Sequence, residues 1–212
     1  KPGNIVLSVA GNVPHEQVVR LARPLFERMA PGPLPAVVAY DPSVAGERIA
    51  TDSRAIDQCT LYLGLPIFGR DDPDRFAIRI MNDVLGAGMS SRLFREVRER
   101  RGLAYSVGSG YGYLADAGVF TISAGVNRDK LRETIEVCLE EAEKLAAEIV
   151  PAEELRITRG AIESIDSVVR QIEAVTPDEV QAVARRILNR QKLHCAVVGP
   201  ELDETEIGAA LG

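Results

Sequence analysis

The residues best suited to chemistry lie in one stretch, SRLFREVRERRGLAYSVGSGYGY, residues 91–113, which sets five arginines among apolar residues and then interleaves tyrosine with glycine. Arg98 and Tyr105 are seven positions apart, with Gly102 between them. A guanidinium and a phenol brought into one cleft can both donate hydrogen bonds to a carbonyl oxygen or to the oxyanion that develops on it. On helical spacing Leu93, Phe94 and Val97 form a buried stripe. Arg98 falls at the edge of that stripe, where its stem can rest on the core while its head faces a groove. Glu96 with Arg100 and Arg95 with Glu99 are i, i+4 pairs of opposite charge, each worth only some tenths of a kcal/mol, so most of the run is a solvated face. Leu103, Tyr105 and Val107 alternate along one strand face, which predicts that Tyr105 points the way the core residues do. The plain alternative is a structural tyrosine beside solvated arginines.

Other chemistries are poorly provided for. His15 and His194 are the only histidines. His194 lies in a strand next to Cys195, and neighbouring strand residues face opposite ways, so the two cannot hold one ion from that strand. No HExxH, HxxEH, GxSxG, P-loop or GxGxxG pattern occurs. No metal ligand is assigned to this chain. Cys59, Cys138 and Cys195 are odd in number and lack CxxC spacing, which disfavours a disulfide framework or zinc ribbon and predicts a reducing, cytoplasmic setting. Cys138 falls on the apolar stripe of a helix and reads as core.

The elements that must position Arg98 and Tyr105 follow from periodicity. Asp72-Pro73 starts a helix whose buried stripe is Phe76, Ile80, Met81, Val84 and Leu85, closed by Gly86. A second helix starts near Ser90 and ends at Gly102. Residues 103–126 form a hairpin around Ala115–Gly118, with Phe120, Ile122, Ala124 and Val126 on one face. Asn127 caps the next helix, and Pro151 starts another. Thr176-Pro177-Asp178-Glu179 is a capping box with proline at N1. Upstream, 4–10 reads as a strand, and Gly11-Asn12-Val13-Pro14 opens a helix that carries Val18, Leu21, Ala22 and Leu25, with Pro24 as a potential kink. A proline-rich connector spans about 30–45, and strands follow at 46–52, 57–66 and 193–198. This mixture predicts an α+β fold, a largely antiparallel sheet with helices packed on one face.

The chain has 212 residues, a net charge of -6 and a pI near 5.1. With 46% hydrophobic and 26% charged residues it has a globular composition, and the acidic balance disfavours nucleic-acid binding. Arg101–Val107 faintly echoes an RNA-binding strand, but Leu103 stands where an aromatic belongs. No apolar run is long enough for a bilayer and no leader pattern opens the sequence, so no membrane partner is expected. The chain lacks an initial Met and starts almost inside a strand, which suggests a fragment of a longer protein forming a single domain, 1–212.

The run from Asn82 through Gly86-Ala87-Gly88, Arg98 and Tyr105 to Val107 strongly resembles the M16 metallopeptidases, the pitrilysin, insulin-degrading and mitochondrial processing peptidase family. The likeness is to the second half of a processing-peptidase-like subunit. It extends over Gly11-Asn12-Val13, Ile56-Asp57-Gln58 with the strand ending at Gly64, and Ile172–Val180. The resemblance implies a LuxS-like metallohydrolase half: two similar α/β halves closing on a peptide chamber, with zinc on an HxxEH motif in the first half. This chain lacks that motif and resembles the zinc-free half, inactive by itself. The same resemblance assigns Arg98 and Tyr105 to substrate binding and to steadying the scissile carbonyl, and Gly86 and Gly88 to a glycine-rich substrate loop. It also implies an N-terminal zinc-bearing half and a homodimer or heterodimer as partners. Where the family continues through a longer helical stretch, Arg159-Gly160 runs straight to Ala161-Ile162, which suggests a missing segment between Gly160 and Ala161. The alternative function is a non-proteolytic assembly subunit of the same family, like the core proteins of a respiratory complex.

Overall fold

A computed structural model of the protein describes residues 2–33, 36, 38–41, 46–151, 154 and 166–212. They fall into two compact units, Lys1–Tyr40 and Asp41–Gly212.

In the first unit, Pro2–Asn4 is a short 3-10 turn, residues 5–10 hold no regular secondary structure, and α1 runs over His15–Phe26. The strand expected at 4–10 is not formed: Asn4 belongs to the 3-10 turn, and 5–10 have no ladder partner among the described residues. Pro24 does not end α1, which continues to Phe26, with the Glu27 amide donating to the Arg23 carbonyl at 2.9 Å.

The second unit is built on a five-stranded sheet of order β1-β5-β2-β4-β3. Its strands are β1 (Ile49–Ser53), β2 (Cys59–Phe68), β3 (Ala104–Tyr113), β4 (Ala117–Val126) and β5 (His194–Gly199). Among the described residues only β1 and β5 pair in parallel; the other three pairings are antiparallel. Alternation decides which face is covered. Cys59, Leu61, Leu63, Leu65 and Ile67 of β2 are buried while Thr60 and Tyr62 are exposed, and Phe120, Ile122, Ala124 and Val126 of β4 join the buried set. The helices α2 (Arg75–Leu85), α3 (Leu131–Ala147), α4 (Asp166–Ala174), α5 (Pro177–Ile187) and α6 (Glu204–Leu211) accompany it. Ile78, Met81, Leu131, Ile135, Val180 and Leu211 from these helices are completely or almost completely buried with the strand residues in one core. Each such side chain contributes roughly 1.5–3 kcal/mol by leaving water.

On the opposite face, Ser106, Gly125, Thr60 and Val198 lie in one row and Gly108, Ser123, Tyr62 and Ala196 in the next, small on β3 and β4 but with the exposed Tyr62 ring on β2. This is the α+β arrangement that periodicity predicts, with one face of the sheet open.

Local signals act as expected in several places. Thr176 accepts from the Glu179 amide and the Glu179 carboxylate accepts from the Thr176 amide, a complete capping box. Asn127 occupies an N-cap, but no side-chain hydrogen bond forms there, and a short 3-10 turn, Arg128–Lys130, precedes α3. The helix expected from Pro151 and the Gly160–Ala161 junction lie outside the described residues. One helix, α6, had no counterpart in the periodicity reading. Its start is marked all the same, since the Asp203 carboxylate accepts from the Thr205 amide at 2.8 Å.

Candidate functional site

The helical segment after α2 does not hold ordinary α-helical pitch. Phe94–Arg100 is wound as a π-helix, a wider turn found disproportionately at functional sites. Leu93 and Val97 are fully buried and Phe94 half-buried, so the predicted stripe holds, and Arg98 is exposed at its edge. Gly102 ends the segment at φ +58, a left-handed conformation that suits glycine, and the Leu103 amide reaches back to the Val97 carbonyl at 2.8 Å.

The five arginines divide sharply. Arg92 makes a bidentate pair with Glu154 at 3.0 and 3.1 Å and is itself buried. Arg95 lies 4.0 Å from the same carboxylate, in place of the expected pair with Glu99. Arg100 pairs with Glu96 at 2.6 Å, as the i, i+4 spacing predicts, and Arg101 lies 3.7 Å from Glu140. Arg98 alone of the five has no ion pair or hydrogen bond among the described residues. Its guanidinium carbon instead sits 4.9 Å from the Phe94 ring centre and 5.7 Å from that of Tyr105. Two aromatic faces thus hold the cation in place and leave its donors free.

Tyr105 corrects the face expected for it. β3 pairs Ala104 with Val126 and Ser106 with Gly125, so Tyr105 is the extra residue of a β-bulge. The bulge turns Ala104 and Val107 to the core and swings Tyr105 out, 76% exposed. Its hydroxyl has no protein partner among the described residues. Since β3 is an edge strand, the pair stands at the rim of the sheet.

The glycines at the end of α2 have separate roles. Gly86 is buried, and its carbonyl accepts from the Ser109 amide of β3 at 3.2 Å. An added Cβ would overlap the Ser109 amide nitrogen and hydroxyl, so this position is kept bare by packing. The Ser109 hydroxyl in turn donates to the Asn82 side chain at 2.8 Å. Gly88 has φ +108 with open space around it, beside exposed Met89, and its carbonyl accepts from the Ser91 hydroxyl at 2.7 Å.

The site residue that sequence reasoning underused is Phe94, taken only as core although its ring carries the Arg98 cation. The i, i+4 spacing of the two was a visible signal. The other candidate groups stay apart from the pair. His194 is exposed on β5 with Nδ1 3.0 Å from the Glu47 carbonyl, while Cys195 is buried on the opposite face, as alternation predicts. Burial pushes the Cys138 thiol up to about 12, the Cys195 thiol up to about 11, and the Cys59 thiol up as well. Among the described residues no group of three or more His, Cys, Asp or Glu could hold a metal. No helix among them is long and apolar enough to cross a membrane.

The fold and this site define a half-domain that can offer hydrogen-bond donors to a ligand at its sheet rim, and comparison with known proteins gives its class. Residues 1–161 match the peptidase M16 inactive domain, and the chain belongs to the M16 peptidase family. An uncharacterized zinc protease of Streptomyces coelicolor is 33% identical over 237 residues, covering 96% of this chain and 51% of its own length. One from Mycobacterium tuberculosis is 33% identical over 230 residues, covering 94% and 52%. The chain thus spans about half the length of these relatives. Among solved structures, the peptidase M16 inactive domain from Pseudomonas fluorescens has a TM-score of 0.78 at 24% identity, covering 91% of this chain and 52% of that one. A chain of complex III2 from Candida albicans, Inz-5 bound, has a TM-score of 0.68 at 12% identity, covering 95% and 57%. These two likenesses establish the fold.

Proposed function

We propose that this chain is the zinc-free half of an M16 metalloendopeptidase, which binds an extended peptide and presents Arg98 and Tyr105 to the scissile carbonyl opposite a zinc site on another half or subunit. The observation that carries the reading is Arg98 itself: the one arginine of its cluster without an anionic partner among the described residues, stacked between Phe94 and Tyr105 at 4.9 and 5.7 Å. An arginine held in place with its N–H groups unspent is arranged for an incoming acceptor. The open face of β3 and β4 supports it, since Ser106, Gly108, Ser123 and Gly125 let a main chain approach closely.

In this reading the residues of the chain bind and orient. Arg98 and Tyr105 donate to the carbonyl oxygen, most strongly when it carries negative charge, and thereby favour the transition state over the bound ground state. The exposed turn at Gly88 contacts substrate, and Gly86 fixes that turn against β3. Hydrolytic zinc chemistry belongs to the other half, so the chain alone is inactive. A second copy or a complementary subunit completes the enzyme, and the unpaired thiols support a reducing, cytoplasmic setting.

The test is cleavage of a long unstructured peptide by the chain alone and by the whole protein, with and without a zinc chelator. Chelator-sensitive cleavage confined to the whole protein is expected. A whole protein that is folded, free of zinc and inert would turn the reading to an assembly subunit, a role the shared fold does not exclude.

A further inference from the structure

The first unit is apolar where a finished protein is not. Ile5, Leu7 and Val9, at alternate positions after the 3-10 turn, line an open groove of about 660 Å³ with Val18, Ala22 and Phe26 of α1. No residue of α1 is buried, although its 12 residues carry a clear apolar stripe. Val6 is 94% exposed, and Leu7, Val9, Leu21 and Leu25 each lie more than half exposed. Among the described residues, the backbone of 5–10 makes no main-chain hydrogen bond. An apolar segment without main-chain partners, beside an uncovered helix stripe, is a large cost in water.

The end of the chain shows what such a segment is for. Aligned on Gly11 and Gly199, Ile5, Leu7 and Val9 fall on Leu193, Cys195 and Val197. The turn that follows reaches N-cap Pro14 in one and, one residue longer, Asp203 in the other; aligned on these caps, Val18 falls on Ile207 and Leu21-Ala22 on Ala210-Leu211. At the C-terminal site this strand, turn and helix are fully used. β5 lies between parallel β1 and antiparallel β2, and Cys195, Val197, Ile207, Ala210 and Leu211 are all buried. The same pattern at 5–26 has neither flanking strand among the described residues.

We infer that residues 5–26 are the closing strand, turn and helix of a different half-domain, entering its sheet as β5 and α6 enter theirs, between one parallel and one antiparallel neighbour. The occupant of the groove is the core of that half. Its identity as the zinc-bearing half rests on the function proposed above. The relatives, about twice as long as this chain, have room for such a half, since the chain covers 51% of the Streptomyces protein. On this reading Asp41–Gly212 is one domain and the unit before it is the end of another.

Hydrogen exchange tests this without zinc or catalysis. The amides of Val6–Ala10 are expected to exchange at nearly unprotected rates in the 212-residue chain and at least 100-fold more slowly in the whole protein with both halves, where they approach the protection of β5. Val9→Asp in the whole protein removes that protection and leaves 194–199 unchanged; Val9→Thr, a milder change, keeps part of it. Fast exchange of Val6–Ala10 in the folded whole protein would overturn the inference. So would slow exchange in the chain alone, whether light scattering finds a monomer, where the segment is satisfied within its own chain, or a dimer, where a second copy covers it. Zinc content and peptide cleavage are measured on the same samples. Protected 6–10 in a zinc-free, inert protein would sink the protease reading only, and unprotected 6–10 in an active zinc enzyme would sink this inference only.

Discussion

The Arg98 guanidinium stands 5.7 Å from the ring centre of Tyr105, a residue that β3 leaves outside its ladder. The two meet because two irregularities coincide: a π-helical turn at Phe94–Arg100 and a bulge at Tyr105. Both devices aim side chains at the expense of regular hydrogen bonding. The pair is therefore built by local departures from the helix and strand that carry it.

Ring and hydroxyl of Tyr105 are separable by mutation. In the whole protein, Tyr105→Phe keeps the stacking face for Arg98 and removes only the phenolic donor, so kcat is expected to fall about 10²–10³-fold with KM little changed, as for loss of one oxyanion donor. Arg98→Lys keeps the charge but loses the planar fork and the fit between Phe94 and Tyr105. Its expected loss is as large and is not recovered at higher substrate concentration. Steady-state kinetics on a peptide substrate check both; an unchanged kcat in either variant would remove that residue from the site.

Gly86 and Gly88 should separate as sharply. A methyl group at Gly86 would overlap Ser109 of β3, so Gly86→Ala is expected to destabilise the fold by about 1–3 kcal/mol, the range for overpacking. At Gly88 space is open but φ is +108, so Gly88→Ala costs about 1 kcal/mol through backbone strain and leaves β3 undisturbed. Urea melts of the chain measure both. A Gly86→Ala variant as stable as the parent would show that the loop moves freely off the strand.

What could be read from sequence was whatever depends on neighbours a few residues apart. The α2 stripe at Ile80, Met81, Val84 and Leu85, the hairpin after Gly102, the Thr176–Glu179 box and the Glu96–Arg100 pair are all local, and all formed, although Phe76 is only half-buried and α2 begins at Arg75 behind Asp74 and not at Asp72-Pro73. The misreadings concern distant partners. Arg95 turns to Glu154 because that carboxylate is brought in by a remote segment already held by Arg92, which outweighs a weak i, i+4 pair with Glu99. Tyr105 faces outward because β3 must match the register of β4, and single-strand alternation cannot show a bulge. The segment 5–10 has the composition of a strand but no partner among the described residues. Helix α6 was legible in principle from Asp203 and the acidic first turn Glu204 and Glu206, but Gly208 and two alanines weaken its periodicity.

Arg186 of α5 ties two elements together, and acid should release it. It pairs with Asp72 at 2.9 Å and with Asp74 at 2.5 Å, just before α2, and lies 4.6 Å over the Phe68 ring at the end of β2. Burial alone would push the Asp72 carboxyl up, but the hydrogen bonds from Arg186 and the Asp74 amide outweigh it and hold it below the usual range. A carboxyl with a lowered folded pKa adds stability above its unfolded pKa of about 3.9 and loses it as pH falls through the folded value. Asp72→Asn is therefore expected to lower stability by about 0.5–1 kcal/mol at pH 6–8, discounted for the half-exposed arginine. The difference should vanish near pH 2. Denaturant midpoints of the two proteins across that range are the check, and a difference that persists in acid would assign the effect to packing.

The buried thiols give the opposite slope. Burial holds the Cys138 and Cys195 thiols up at about 12 and about 11, whereas an unfolded cysteine ionises near 8.5. A group whose folded pKa is raised adds stability below the unfolded pKa and loses it as pH rises toward the folded value, because only the unfolded chain gains thiolate in that window. The denaturant midpoint is expected to be flat from pH 7 to 8 and to fall between about 8.5 and 11. Cys138→Ala is less stable at every pH because of its cavity, yet its alkaline slope is shallower. Alkylation follows the same logic. At pH 8 the Cys138 thiolate is on the order of one part in 10,000, so iodoacetamide should leave all three cysteines of the folded chain largely unmodified and label all three in guanidinium. Rapid labelling of Cys138 in the folded chain would mean that α3 opens far more often than its packing implies.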